Sequence, residues 1–250
     1  MSLQKKLSHL LFTNRSPRQT VVKNAFRLLL ADVFAKGITA LSLLYLAYLL
    51  GTQQFGIYSF ITSYAGFFVL VVDYGLIQYT IRTHAQQTHP TGQLISHTLL
   101  LKICLALTIF FMIWIISKRF STATLYLTQI TLCICYLITN SFSEYLRALY
   151  RLEERMEKEA TLKIIHGLLY ALGICGYALW GTGITTLFVM IFTVSIINLL
   201  ITLIMMRKTR EDLSFHFSKS IFSDIFRIAT PFAISALLIS VYMNADQVLL

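Results

Sequence analysis

Two oppositely charged residues, Asp32 and Lys36, lie within an apolar run that begins at Leu28. Residues four positions apart share one face of a helix, so these two side chains can pair with each other. An ionisable side chain at membrane depth usually faces a cavity or the interior of a helix bundle. The spacing fits a charged cavity and a merely stabilising pair within one helix equally well, and in both cases it predicts that the two side chains face the bundle interior.

Further charges lie near the ends of other apolar runs. Asp73 can pair with Arg27 or Arg82 at a helix end, and Lys102 can extend its ammonium group to the headgroups of the lipids. Arginines at the ends of apolar runs most often mark membrane topology. With these alternatives left open, the candidate cavity residues are Arg27, Asp32, Lys36, Asp73, Lys102, Arg147 and Arg227.

The composition defines the surroundings of these charges. Hydrophobic residues make up 56% of the 250 residues, charged residues make up 13%, and the mean hydropathy is +0.70. Ordinary soluble domains contain about 45–50% apolar and about 25% charged residues. The composition therefore predicts an integral membrane protein.

Seven apolar runs have the length of a helix that crosses the bilayer, which needs about 20 residues. The runs are longer than the strands of a membrane barrel, which have about 10 residues. The sequence therefore predicts an all-α membrane protein with spans at Leu28–Leu50, Phe55–Thr80, Thr98–Ser117, Ala123–Leu146, Leu162–Trp180, Ile184–Met206 and Ile228–Leu250.

The basic residues predict a cytoplasmic N-terminus. With this orientation, all but four of the 21 Lys and Arg residues lie in cytoplasmic segments; Lys118 and Arg119 lie outside, and Lys36 and Lys102 lie within spans. This asymmetry is the usual topology signal of membrane proteins. The net charge of +10 is explained by topology and by attraction to anionic lipids, so it does not indicate nucleic-acid binding. Residues 1–27 lack the pattern of a removable signal peptide.

Residues suited to covalent or metal chemistry do not form a recognisable set. The four cysteines lie in apolar runs, and the six histidines are scattered. No nucleophile elbow or phosphate-binding glycine loop occurs, so we expect no enzyme activity, cofactor or metal. The stretch "RALYRLEERMEKEA" alternates charge signs and is interpreted as a solvated extension of the fourth and fifth spans. Gly167, Gly173 and Gly176 predict a close helix contact along the fifth span.

Two segments of the chain are similar to each other. "FRLLLADVFAKGITALSLLYLAYLLG" begins at Phe26, and "FRIATPFAISALLISVYMNADQVLL" begins at Phe226. They align without gaps, which predicts that the seventh span repeats the first, as in transporters built from internal repeats. Pro231 lies near the start of the seventh span and predicts either a hinge or a static kink.

Four stretches together resemble the polysaccharide-unit flippases of the multidrug, oligosaccharidyl-lipid and polysaccharide exporter superfamily. They are "LLGTQQFGIYSF", "VVDYGLIQYTIR", "YLRALYRLEERMEKEA" and "ATPFAISALLISVYMNADQVLL". The resemblance implies a transporter with two six-helix lobes that moves undecaprenyl-diphosphate-linked oligosaccharides from the inner to the outer leaflet by alternating access. Basic groups near the inner mouth of the cavity would attract the diphosphate, and the acids would pair with these groups in its absence.

The resemblance also implies a division of the chain. We expect a cytoplasmic segment at 1–27, a six-helix lobe at 28–206, a cytoplasmic linker at 207–227 and the first helix of a second lobe at 228–250. The remainder of that second lobe is then a missing partner, and we expect that the sequence stops within an element. The expected location is the inner membrane of a bacterial or archaeal cell. The expected partners are membrane lipid and the lipid-linked sugar, and Na⁺ or H⁺ is the candidate coupling ion.

Two other functions stay open at this point. A drug or metabolite cation antiporter of the same superfamily would need acids in its cavity, and Asp32 and Asp73 are candidates. A membrane polysaccharide polymerase or ligase usually carries a large outer loop, whereas the predicted outer loops "GTQQ" and "WGTG" are short. The flippase is therefore the first hypothesis, the antiporter the second and the membrane enzyme the third.

Overall fold

The computed structural model describes residues 17–87, 89–119, 125–181, 183–207, 224–225, 227–235 and 238. Most of the predicted linker at 207–227, most of the predicted seventh span and the predicted cytoplasmic segment before residue 17 lie outside these residues. The helices are α1 (17–50) and α2 (52–73), which form one element Pro17–Asp73, then α3 (Leu76–Ala85), α4 (Thr91–Arg119), α5 (Leu127–Ala148), a 3₁₀ helix (Leu149–Glu153), α6 (Met156–Trp180), α7 (Ile184–Arg207) and α8 (227–235).

The described residues contain helices and no strand, and the chain is an all-α membrane protein, as predicted. Four helical stretches in this part of the chain are long and apolar enough to cross a membrane: Phe26–Ala85, Thr91–Arg119, Met156–Trp180 and Ile184–Arg207. The first of these has 60 residues and contains both the first and the second predicted spans. The fourth predicted span corresponds to α5, which is not among the four; its last turns carry the polar residues Asn140, Glu144 and Arg147.

Gly51 separates α1 from α2. Its backbone angles, φ 69° and ψ 175°, belong to a region that only glycine adopts easily. A β-carbon at Gly167 would lie 3.2 Å from the carbonyl oxygen of Ala35, and the hydroxyls of Tyr58 and Tyr170 are 3.3 Å apart. Gly167 and Tyr170 are three residues apart on α6, yet Gly167 contacts Ala35 of α1 and Tyr170 contacts Tyr58 of α2. In one straight helix, Ala35 and Tyr58 would be about 34 Å apart. The chain therefore reverses direction at Gly51, and α1 and α2 form a helical hairpin.

A second interruption divides the predicted span Phe55–Thr80. Tyr74 and Gly75 both have positive φ, 38° and 67°, and they separate α2 from α3. The prediction of one continuous span at this point was therefore wrong. Left-handed backbone costs a non-glycine residue roughly 1–2 kcal/mol, so Tyr74 needs support from tertiary contacts. Its hydroxyl lies 3.0 Å from the Thr230 hydroxyl of α8.

Two apolar clusters hold the described helices together. The larger cluster joins residues from α1, α2, α4, α5, α6 and α7, and Leu46, Ile61 and Phe188 are among its fully buried members. The smaller cluster lies around Leu76 and Tyr145 and includes Ala229 of α8. Many large apolar side chains point outward, as lipid-facing residues do. The predicted close contacts of α6 are confirmed, because a β-carbon at Gly173 would lie 2.9 Å from Val194.

Residues 227–235 are helical on both sides of Pro231, and the Ser235 hydroxyl donates a hydrogen bond to the Pro231 carbonyl oxygen at 2.9 Å. A hinge at Pro231 stays a prediction. This helix packs closely against the interruption between α2 and α3, since a β-carbon at Gly75 would lie 2.6 Å from the Phe232 β-carbon. The described part of the seventh predicted span is thus docked on the preceding helices.

Candidate functional site: a charged pocket between α1, α5 and α6

A pocket of about 600 Å³ opens between α1, α5 and α6. Polar and charged side chains from three helices and the 3₁₀ helix line it, together with Ala35, Ala40 and Leu43. The polar lining consists of Asp32, Lys36, Thr39, Asn140, Glu144, Arg147, Arg151, Lys163 and His166. Three of the seven predicted cavity residues, Asp32, Lys36 and Arg147, are therefore brought together.

Lys163 and Glu159 connect the helices around this pocket through a chain of ion pairs. Lys163 Nζ lies 2.7 Å from Asp32 Oδ1 and 3.1 Å from Glu159 Oε1. Glu159, only 1% exposed, also accepts two hydrogen bonds from Arg151, at 2.8 and 2.5 Å. This hydrogen bonding to Glu159 raises the pKa of the Arg151 guanidinium, so Arg151 stays charged.

Asp32 does not pair with Lys36, and this prediction was wrong. Its carboxylate reaches across to Lys163 of α6, and no ion pair within 4 Å joins it to Lys36 in the described part of the chain. Both side chains line the pocket, and their location on a face toward the bundle interior stays a prediction. Packing explains the exchange of partner, because the contact of Gly167 with Ala35 brings α6 close enough for Lys163 to reach Asp32.

Arg147 carries the least satisfied charge among the described residues that line the pocket. Its side chain is 5% exposed, yet its Nε and Nη1 atoms have no hydrogen-bond partner. None of the described carboxylates lies within 4 Å of the guanidinium, although Glu144, Glu159 and Asp32 act on it electrostatically over longer distances. A buried cation without partners costs free energy, so its retention calls for a functional explanation.

Two further buried polar atoms of the same pocket lack partners. They are Oδ1 of Asn140 and Nδ1 of His166. An amide oxygen accepts hydrogen bonds, and a neutral imidazole can donate or accept them. Together with Nε and Nη1 of Arg147, they give this pocket lining four buried polar atoms without hydrogen-bond partners.

Asp73 and Lys102 form a separate polar site. Lys102 Nζ donates a hydrogen bond to Asp73 Oδ1 at 2.7 Å, and the Ser141 hydroxyl donates to the same oxygen at 2.6 Å. The alternative that Asp73 pairs with Arg27 or Arg82 was therefore wrong. Lys102 does not extend to the headgroups either, because its side chain is completely buried. Neither residue lines the charged pocket.

Arg27 and Arg227 are not part of the charged pocket either. Arg27 is half-buried near the start of the described side chains, and Arg227 is exposed at the start of α8. Neither arginine forms an ion pair with another described residue. Their role in a cavity stays a prediction.

Sequence reasoning missed Glu159, Lys163, Arg151 and His166 as members of the site. The stretch "RALYRLEERMEKEA" is not simply solvated, since Leu149, Tyr150 and Glu159 are buried. A usable signal was present, because Glu159 and Lys163 are four residues apart at the start of an apolar run.

The described residues thus form an all-α bundle with a charged pocket between apolar helices. A family described as "Polysaccharide biosynthesis protein" matches residues 21–250, and the chain belongs to this family. The fold is also similar to a solved structure of a transporter of the MOP superfamily from Pyrococcus furiosus, with a TM-score of 0.65 and 18% sequence identity.

That similarity covers 94% of this chain and 56% of the archaeal chain, so the protein spans little more than half of the length of that transporter. The archaeal protein is described as having a binding pocket of reverse polarity that suggests a different function. No curated protein matches the chain.

Proposed function

We propose that this protein is a flippase for polysaccharide synthesis. Its substrate is an oligosaccharide linked to undecaprenyl diphosphate, which it moves from the inner to the outer leaflet of the cell membrane by alternating access. Membership of the polysaccharide biosynthesis family and the fold shared with a MOP transporter support this proposal. In this proposal, 28–206 form a six-helix lobe with a cytoplasmic N-terminus, 207–227 form a linker and α8 belongs to the first helix of a second lobe.

The observation that carries the proposal is that two buried guanidinium nitrogens of Arg147 lack hydrogen-bond partners. A diphosphate cannot enter hydrocarbon, and a carrier must offer it positive charge in a pocket that admits water. Arginine binds phosphate oxygens through a planar set of donors, and Nε and Nη1 of Arg147 are the donors left without partners. Lys36, which lines the same pocket and has no ion pair among the described residues, supplies a second positive charge.

The neighbouring polar atoms suit the sugar part of the substrate. Asn140 and Arg147 lie on α5 and His166 lies on α6, and all three line the pocket. Hydroxyl groups of the first sugar can donate to Asn140 Oδ1 and can bond to His166 Nδ1. The pocket therefore provides partners for both the diphosphate and the adjacent sugar, while the polyprenyl tail stays in lipid.

The cation antiporter receives less support from the same geometry. An antiporter needs a carboxylate that can bind the coupling ion or the cationic substrate. Both candidate acids already hold a lysine, since Asp32 pairs with Lys163 and Asp73 pairs with Lys102. A free cation would have to compete with an ammonium group at 2.7 Å in each case.

Arg147→Met tests the proposal. A charge-assisted hydrogen bond contributes roughly 1.5–3 kcal/mol, so we expect binding of a polyprenyl diphosphate sugar to the purified chain to weaken about tenfold or more. Because Arg147 lacks partners for two of its nitrogens, the methionine variant should unfold at the same temperature as the wild type or at a higher one. Loss of affinity without loss of stability distinguishes a substrate contact from a structural cation.

Arg155→Met is the matched control. Arg155 is exposed, lies one helical turn before Glu159 and does not line the pocket. The Arg155→Met substitution removes one positive charge from the same end of the bundle, as Arg147→Met does. It should leave binding of the polyprenyl diphosphate sugar nearly unchanged. Equal binding by wild type and Arg147→Met, or equal weakening by both substitutions, would contradict the proposal. Proteoliposomes that contain the chain and a fluorescent polyprenyl diphosphate sugar then test movement between leaflets, with the polyprenyl alcohol as the negative control.

A further inference from the structure

The positive charges of the pocket differ in how they are neutralised. Lys163 has two carboxylates within 3.1 Å, whereas Lys36 and Arg147 form no ion pair with any described residue. An entering diphosphate therefore meets two available cations, Lys36 and Arg147. The other two cations of the lining, Lys163 and Arg151, are already paired with carboxylates.

The two carboxylates that hold Lys163 are not equivalent. Glu159 is buried and is fixed by two hydrogen bonds from Arg151, and it does not line the pocket. Asp32 lines the pocket with 36% of its side chain exposed, and its contact with Lys163 is its one ion pair among the described residues. Displacing Glu159 would leave a buried carboxylate without solvent, whereas Asp32 can leave Lys163 and remain in contact with water.

We propose that Asp32 is a built-in competitor for the substrate's phosphate. In the empty pocket its carboxylate occupies the position at Lys163 where a phosphate oxygen binds, and the substrate must displace it. An anion can therefore use Lys163 in addition to Lys36 and Arg147 only if it binds Lys163 more strongly than Asp32 does. This inference rests on the proposed function, because it assumes that the pocket binds the phosphates of a substrate.

The competition makes a prediction opposite to that for an ordinary binding residue, because removal of Asp32 should tighten anion binding. Inorganic pyrophosphate is the probe, and its dissociation constant is measured calorimetrically with the full chain in detergent, without divalent cations. We expect Asp32→Asn to bind pyrophosphate at least fivefold more tightly than the wild type. Asp32→Ser should act in the same direction, whereas Asp32→Glu keeps the carboxylate and should resemble the wild type.

Glu144→Gln and Lys163→Gln provide the controls. Glu144 also lines the pocket but forms no ion pair with a described residue, so its removal measures the general effect of one negative charge. That effect should be less than half of the effect of Asp32→Asn. The tighter pyrophosphate binding of Asp32→Asn should also disappear when this substitution is combined with Lys163→Gln. The double variant lacks the lysine that the loss of Asp32 would make available to the anion.

The outcomes separate this inference from the proposed function. Weaker binding by both Asp32→Asn and Asp32→Ser, a gain no larger than that of Glu144→Gln, or a gain that persists without Lys163 would overturn the role of Asp32. If wild-type binding still depends on Arg147 in these cases, the anion site itself stands. If the wild type and Asp32→Asn both fail to bind pyrophosphate, the anion site and this inference fail together.

Discussion

The ammonium group of Lys102 lies 2.7 Å from the carboxylate of Asp73, at the last residue of α2. Lys102 is completely buried, and its ammonium also lies 5.6 Å from the ring centre of Phe142 and 5.8 Å from that of Tyr145. The pair thus fixes α4 to the end of α2 immediately before the interruption at Tyr74 and Gly75. The same interruption is the place where α8 packs, so this ion pair supports the docking site of the last described helix.

Asp73→Asn should destabilise the protein more than Lys102→Met. The asparagine variant leaves a buried ammonium without a countercharge, and breaking a buried pair in this way costs about 3–5 kcal/mol. In the methionine variant the remaining charge is Asp73, which is 39% exposed and keeps its hydrogen bond from Ser141. The measurement is thermal unfolding in detergent, followed by tryptophan fluorescence.

The double variant Asp73→Asn with Lys102→Met is the control for this pair. It removes both charges, so it should be more stable than Asp73→Asn alone. A double variant that is as unstable as the sum of the two single variants would show that the two side chains act independently.

Glu159→Gln should lower the free energy of unfolding by about 3–5 kcal/mol, because the buried carboxylate neutralises both Arg151 and Lys163. Glu157→Gln is the matched control, since Glu157 lies two residues earlier in the first turn of α6, is exposed and forms no ion pair with a described residue. Surface substitutions of this kind change stability by about 0.5 kcal/mol or less. Chemical denaturation in detergent measures the difference, and equal effects of the two substitutions would be inconsistent with a structural role for Glu159.

Gly75→Ala should weaken the docking of α8. Alanine at φ 67° costs roughly 1–2 kcal/mol, and its β-carbon would overlap the Phe232 β-carbon at 2.6 Å. Gly66→Ala is the control, because Gly66 lies inside α2 with no atom within 4 Å of the added carbon and should gain up to about 1 kcal/mol. Hydrogen exchange over residues 227–235 reads out the docking. Unchanged protection of these amides in Gly75→Ala would refute the contact.

Gly167→Ala should separate α1 from α6. The added carbon would lie 3.2 Å from the carbonyl oxygen of Ala35 and 3.3 Å from its α-carbon, and backbone atoms cannot rotate away. Overpacking of this type costs about 1–3 kcal/mol. Gly176→Ala on the same helix meets only Met190 at an ordinary 3.8 Å and should be tolerated. Comparison of the two melting temperatures checks the prediction, which fails if Gly176→Ala is the more damaging change.

Much of the helical framework could be predicted from apolar length alone. The predicted span Leu162–Trp180 ends at the same residue as α6, and the predicted span Ile184–Met206 ends one residue before α7 does. The interruption at Tyr74 and Gly75 was not predicted, because one glycine is often tolerated inside a helix and the hydrophobicity continues across it. Its left-handed backbone depends on contacts with α8, which are distant in sequence.

The charged site was only partly predictable for a related reason. Hydrophobic patterning indicated which charges lie within or beside apolar runs, and three of the residues selected in this way, Asp32, Lys36 and Arg147, line one pocket. The choice of ion-pair partner depends on how the helices pack, which local spacing does not show. The spacing of Asp32 and Lys36 therefore predicted a pair within α1, whereas Asp32 pairs with Lys163 of α6 in the structure. Lys102 and Asp73 were both candidate residues, but their ion pair was not predicted. The pair joins α4 to α2, and the relative position of these two helices cannot be read from the local sequence.

The distance in sequence between Asp32 and Lys163 affects the order of events during biosynthesis. Asp32 is synthesised 131 residues before its partner, an interval of roughly 7–26 s at about 5–20 residues per second. During this time α1 must reside in the translocon or the lipid with its carboxylate unpaired by α6. Within the described part of α1, Lys36 lies four residues after Asp32, which is the spacing at which a lysine can neutralise a carboxylate on the same helix. The spacing of Lys36 therefore matches that of a counterion for Asp32 before the later helices are made.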